Sequence, residues 1–154
     1  MLATIHLLVG AAIGKYIGAW PLALGAGFVS HFFLDALPHT DQATLKDPTE
    51  RGSLTLTDLI LVWLDLVIAL VVLFVLSRSI KLAPSILAGA LGGLAPDFAH
   101  PLYHIAPLLR TTRPFSWFYQ FHRGVQRTTS KKNWLKGAIV ELVFAIAAIT
   151  LLLL

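Results

Sequence analysis

The chain has 154 residues, enough for one domain. Hydrophobic residues make up 56% and charged residues only 13%, and the mean hydropathy is +0.76. A soluble globular domain carries about 25% charged residues, so this composition excludes an ordinary soluble enzyme, a disordered chain and a coiled coil. It points to an all-α, polytopic bundle in a membrane, formed by residues 1–154 as a single embedded domain. The absence of cysteine excludes a disulfide framework, thiolate metal sites and thiol catalysis. A net charge of +4 reads as membrane topology and attraction to anionic lipid rather than as nucleic-acid binding.

The opening segment, MLATIHLLVGAAIGKYIGAW, lacks the basic start and cleavage site of a signal peptide. Residues 2–17 predict a short first helix, Gly18 to Pro21 a turn, and 21–37 a second helix, so the first two form a short hairpin. Pro38 ends the second helix because it has no N–H to donate and crowds the preceding turn. Residues 38–55 are polar and predict a loop, in which Asp58 just beyond marks the start of the next helix. Residues 56–77 predict a full span, long enough for a hydrocarbon core of about 30 Å. A fourth helix begins at residue 84, rich in the small residues that let helices approach in lipid, and is interrupted by Pro96, Pro101 and Pro107. Residues 108–133 are basic and aromatic and predict an interfacial segment, with rings at headgroup level and cations toward phosphate. Residues 134–154 predict a last span.

About five alternating spans place nine Lys and Arg residues on one side and three on the other. The positive-inside rule then puts the N-terminus in the cytoplasm and the protein in the plasma (inner) membrane. A re-entrant first or second helix would change that topology. His31, Asp65 and Glu141 fall at about the same depth, roughly 10 Å in from the cytoplasmic ends of their helices. Ionisable groups inside a membrane are costly and usually functional. His31, Asp35 and His39 are spaced by four residues, and Asp97, His100 and His104 follow one another at intervals of three and four. With His6, these two clusters supply nitrogen and oxygen ligands for one or two metal ions. Imidazole with carboxylate suits Zn best, with Mn or Fe(II) also compatible. His39 and His104 stand near prolines, and His122 lies in the loop; these three are additional metal- or substrate-binding candidates. Arg113, Arg123 and Arg127 are candidates for holding a substrate phosphate. Asp65 and Glu141 are candidate general bases.

At HLLVG, SHFFLDALPHTD and GLAPDFAH the chain resembles the YdjM-like family of membrane-bound metal-dependent hydrolases. The resemblance covers roughly residues 5–104, with a fainter match at FHR. It implies metal-site positions at His6, His31, Asp35, Asp97 and His100. The segment HFFLDALPH is also similar to the zinc-binding HxxxD segment of zinc-dependent phospholipase C, although here the following Pro and His come earlier by one and two positions. The leading expectation is therefore a membrane-embedded, metal-dependent hydrolase acting on a phosphoester of a lipid or lipid-linked substrate. Two alternatives stand beside it. One is a metal-ion or proton transporter or channel, which an apolar outer half disfavours. The other is a non-catalytic membrane scaffold with a structural metal. Membrane lipids are the expected partners; the oligomeric state is not legible.

Overall fold

The computed structural model describes residues 1–41, 44 and 55–154, without the side chains of 104 and 105. The described chain is helical: α1 (Ala3–Ile17), α2 (Trp20–Asp35), α3 (Leu56–Leu76), α4 (Pro84–Leu94), α5 (Ala99–Ile105), α6 (Pro107–Arg110), α7 (Arg113–Val125) and α8 (Trp134–Leu153). Short 3-10 turns precede α5 (Ala95–Phe98) and α8 (Lys131–Asn133). Among the described residues, β-type pairing is confined to a parallel bridge between His39 and Thr128.

The helix boundaries follow from local chemistry. Gly18 adopts φ +73° between α1 and α2, a left-handed backbone that glycine reaches without a Cβ clash. Prolines open α2, α4, α6 and α7 in their first turns, where the missing N–H costs nothing. Thr55 and Asp58 form a reciprocal capping box at the start of α3, with the Thr55 N–H donating to Asp58 Oδ2 at 2.6 Å.

Among the described residues, two helical segments are long and apolar enough to cross a membrane: Leu56–Leu76 and Lys131–Leu153. Five helices lie where spans were expected, but the other three are shorter. At 1.5 Å per residue, the 15 residues of α1, 16 of α2 and 11 of α4 reach about 22, 24 and 16 Å, against a core of about 30 Å. The Gly18 turn and the prolines at 84 and 96 are what keep them short. In α3, Ile60, Trp63, Val67 and Phe74 are each more than half exposed, a large apolar surface that lipid would cover.

The interior is built from α1, α2 and α4, which touch backbone to backbone. A Cβ on Gly10 would lie 2.2 Å from the Gly89 carbonyl oxygen, and one on Gly93 would lie 2.3 Å from that of His6. Only glycine permits this approach, as in small-residue helix contacts within membranes. Leu7, Leu8, Ala11, Ile86 and Leu94 fill the space between, and Ala148 and Leu152 of α8 close it. The tight crossing at Gly93 presses the α4 backbone against the polar residues of α1 and α2.

Candidate metal centre

Asp35, the last residue of α2, is fully buried and sits at the hub of a polar cluster. Its Oδ2 is 3.1 Å from His31 Nε2, one helical turn back, and 3.1 Å from His122 Nε2 of α7. The two Nε2 atoms are 2.9 Å apart. Asp97 Oδ1, from the 3-10 turn after α4, lies 3.6 Å from His31 Nε2 and 3.7 Å from His122 Nε2. One ligand atom from each of these four residues falls within 4.8 Å of all the others.

The tautomer of His31 decides what these atoms can do. Its Nδ1 lies 2.8 Å from the Gly93 carbonyl oxygen, and an oxygen acceptor requires that Nδ1 carry the proton. In the neutral ring, Nε2 is then a lone pair, aimed at a second imidazole and two carboxylates. Groups gathered this closely need a shared proton or a cation among them, and a divalent metal is one such cation. Separations of 2.9–3.7 Å from the two histidine nitrogens lie around the roughly 3.3 Å between ligand atoms of a tetrahedral ion with bonds of about 2.0–2.1 Å, and all four atoms lie within 4.8 Å of one another. The hydrogen bond from Nδ1 to a backbone carbonyl is the usual outer support of a metal-bound histidine. The group His31, Asp35, Asp97 and His122 can hold a metal ion. Asp97 is the member that solvent reaches, with its side chain 32% exposed against 0–3% for the others.

Each ligand has a structural reason for its place. His31 and Asp35 share one face of α2. The 3-10 turn at Pro96 swings Asp97 inward below Gly93. His122 arrives because α7 is strongly amphipathic and packs its aromatic stripe on α2: the Phe32 ring lies 5.2 Å from Phe121 and 6.1 Å from Phe118. Main-chain bonds then lock the following segment to the end of α2. Arg127 N–H donates to the Asp35 carbonyl at 2.9 Å, and Thr129 N–H to the His39 carbonyl at 2.8 Å.

A second layer surrounds the same carboxylate. Asp35 Oδ1 accepts from the Met1 ammonium at 2.7 Å and lies 3.2 Å from His6 Nε2 and 3.9 Å from His39 Nε2. The His6 and His31 rings stack at 3.8 Å. Asp41 is held below the ordinary carboxylate range: burial pushes it up, but His39, the Met1 ammonium and the Thr128 hydroxyl together outweigh that.

Other expected residues are placed differently. His100 is not among the four; its ring packs 5.7 Å from Tyr119. The His104 side chain lies outside the described residues, as do Lys46 and Arg51 of the basic loop. Asp65 and Glu141 lie outside the group of four and accept hydrogen bonds at the start of α1. Asp65 accepts from Ala3 N–H at 2.5 Å, Thr4 N–H at 3.3 Å and the Thr4 hydroxyl at 2.5 Å. Glu141 accepts from Leu2 N–H at 3.2 Å and from the Thr40 hydroxyl. Both serve the start of α1, where N–H groups lack intrahelical partners and the helix dipole favours anions. Asp65→Ala is therefore expected to lower stability by about 0.5–2 kcal/mol, as loss of a cap does, while leaving metal content intact. Thermal unfolding in detergent alongside elemental analysis checks this. The arginines also diverge: Arg123 lies over the Tyr119 ring at 5.7 Å, Arg127 reaches the site through its main chain, and Arg113 lines an exposed cavity of about 390 Å³ with Arg110 and Trp117.

His122 is the member of the group of four that sequence spacing places least firmly, as a loop histidine among the additional candidates. The available signal was Phe118, His122 and Val125 at helical intervals, which puts the histidine on the apolar stripe of an amphipathic helix. No family model, no curated protein and no solved structure matches the chain.

Proposed function

We propose that this chain is a membrane-embedded, metal-dependent hydrolase that cleaves a phosphoester of a lipid or lipid-linked molecule. The observation that carries the reading is the convergence of two imidazole and two carboxylate ligands around the His31 lone pair, buried beside helices that expose apolar surface. Two nitrogen and two oxygen donors suit Zn, with Mn or Fe(II) also compatible. When bound, the ion would supply Lewis acidity, acidifying water and polarising a phosphoryl oxygen. The residues of the chain do the rest. Gly93 fixes the His31 ring, Asp35 and His122 hold the buried side, and the exposed Asp97 marks the side of substrate approach. The resemblance of HLLVG, SHFFLDALPHTD and GLAPDFAH to the YdjM-like family is in keeping with this reading.

In the same reading α1, α2 and α4 enter the membrane as short elements beside two full spans, with the site toward the cytoplasm. A single cysteine at position 45 and one at position 130 are then expected to label from the same side of the membrane. Labelling from opposite sides would end that topology.

The test is chemical. Purified protein is expected to contain a divalent metal and to release phosphate or headgroup from a panel of phosphomonoesters, phosphodiesters and phospholipids. His31→Ala and Asp97→Ala should each abolish turnover and lower metal content. Metal affinity should fall as pH falls, because protons compete for the same imidazole and carboxylate atoms. A metal-loaded protein that hydrolyses nothing on the panel but moves ions across liposomes would favour a transporter. A second reading, a structural staple, draws on the same geometry, since the four ligands tie α2, the turn after α4 and α7 together. Metal removal that unfolds a protein without any turnover would select it.

A further inference from the structure

Two buried imidazoles beside Asp35, those of His6 and His39, are not accounted for by the four-residue centre. The His39 ring is fully buried, and its Nδ1 donates to the Leu37 carbonyl at 2.8 Å. Its Nε2 is thus a lone pair in the neutral ring, and it has no hydrogen-bond partner. That lone pair faces two carboxylates, 3.9 Å from Asp35 Oδ1 and 3.8 Å from Asp41 Oδ2. On the same Asp35 oxygen, His6 Nε2 approaches to 3.2 Å.

We propose that Asp35 bridges two cations, with Oδ2 serving the centre of His31, Asp97 and His122 and Oδ1 serving a second ion held by His39 Nε2, the Asp41 carboxylate and His6 Nε2. The chemistry is that of the first site: an imidazole lone pair and carboxylate oxygens face one another with no donor between His39 and its neighbours. The surroundings hold the ligands in place. Thr128 Oγ1 donates to Asp41 Oδ2 at 2.5 Å, and Thr44 N–H donates to Asp41 Oδ1 at 3.1 Å. The His39 backbone is clamped between Arg127 and Thr129, and a Cβ on Gly137 of α8 would come within 2.6 Å of the His39 carbonyl carbon. The Met1 ammonium, 2.7 Å from Oδ1, is the group that the second ion would displace. The carboxylate separation of the two ions follows from Asp35 using one oxygen for each.

This inference rests on the metal reading of the first centre, and the experiment separates the two. The purified full chain in detergent is stripped with chelator, titrated with Zn²⁺ alone, and its bound metal counted by elemental analysis and calorimetry. Wild-type protein is expected to bind about two ions per chain, His39→Ala and Asp41→Asn about one, and Asp35→Asn none. His122→Ala is expected to keep the second ion while losing the first. Loading with Mn²⁺ gives a readout that needs no variant, because two ions sharing a carboxylate show a spin-coupled resonance rather than the signal of an isolated ion. One ion per chain with an isolated-ion signal would overturn the second site and leave the first standing, with the ammonium alone serving Oδ1. No bound ion would overturn both.

Discussion

Replacing Asp35 with alanine is expected to remove bound metal and to destabilise the protein by about 3–5 kcal/mol, the usual result of breaking a buried ionic network by deleting one partner. The size follows from the position of this side chain. It is fully buried and touches the Met1 ammonium, His6, His31 and His122 through its two oxygens. Without the carboxylate, an ammonium and several imidazoles would share a dry pocket with no counter-charge. Asp35→Asn keeps the shape and restores part of the stability, but an amide is a poor metal ligand, so metal content should stay low. Elemental analysis and chemical unfolding in detergent check both parts. Wild-type metal content in either variant would remove Asp35 from the centre.

The second large effect is expected at a residue with no side chain. Gly93→Ala should cost about 1–3 kcal/mol or more, as overpacking of a filled interior does. Its Cβ would meet the His6 carbonyl oxygen at 2.3 Å. A backbone atom cannot swing aside, so α1 and α4 must separate. That separation also withdraws the Gly93 carbonyl from His31 Nδ1, and metal affinity should fall with stability. Gly25→Ala is the matched control. A Cβ there meets nothing within 4 Å, so alanine should stabilise α2 by up to about 1 kcal/mol through helix propensity. Equal effects of the two substitutions would show that the close crossing does not hold the bundle.

What the sequence made legible were features that depend on neighbours along the chain. The long apolar runs of α3 and α8, the turn at Gly18 and Pro21, and the pairing of His31 with Asp35 at one helical turn are all local patterns. His100 falls outside the group of four because three-residue spacing assumes a continuous helix, whereas Asp97 sits in a 3-10 turn and His100 in the helix after it. His122 was underrated because its burial depends on α7 folding back onto α2. Asp65 and Glu141 were recognised as costly groups at a common depth, but depth does not name a partner. The partners are the N–H groups at the start of α1, which no spacing along α3 or α8 discloses.

The packing of α7 on α2 makes the group of four depend on the docking of that helix. His31, Asp35 and Asp97 belong to α2 and to the turn directly after α4, whereas His122 belongs to a helix that reaches them only once its aromatic stripe has docked and the segment after it has zipped onto the end of α2. With α7 undocked, the group that could hold a metal lacks one of its four members. Under the proposed metal reading, capture of the ion would report that α7 is seated, and a fault in α7 would leave a protein that keeps the α1, α2 and α4 core but takes up no metal.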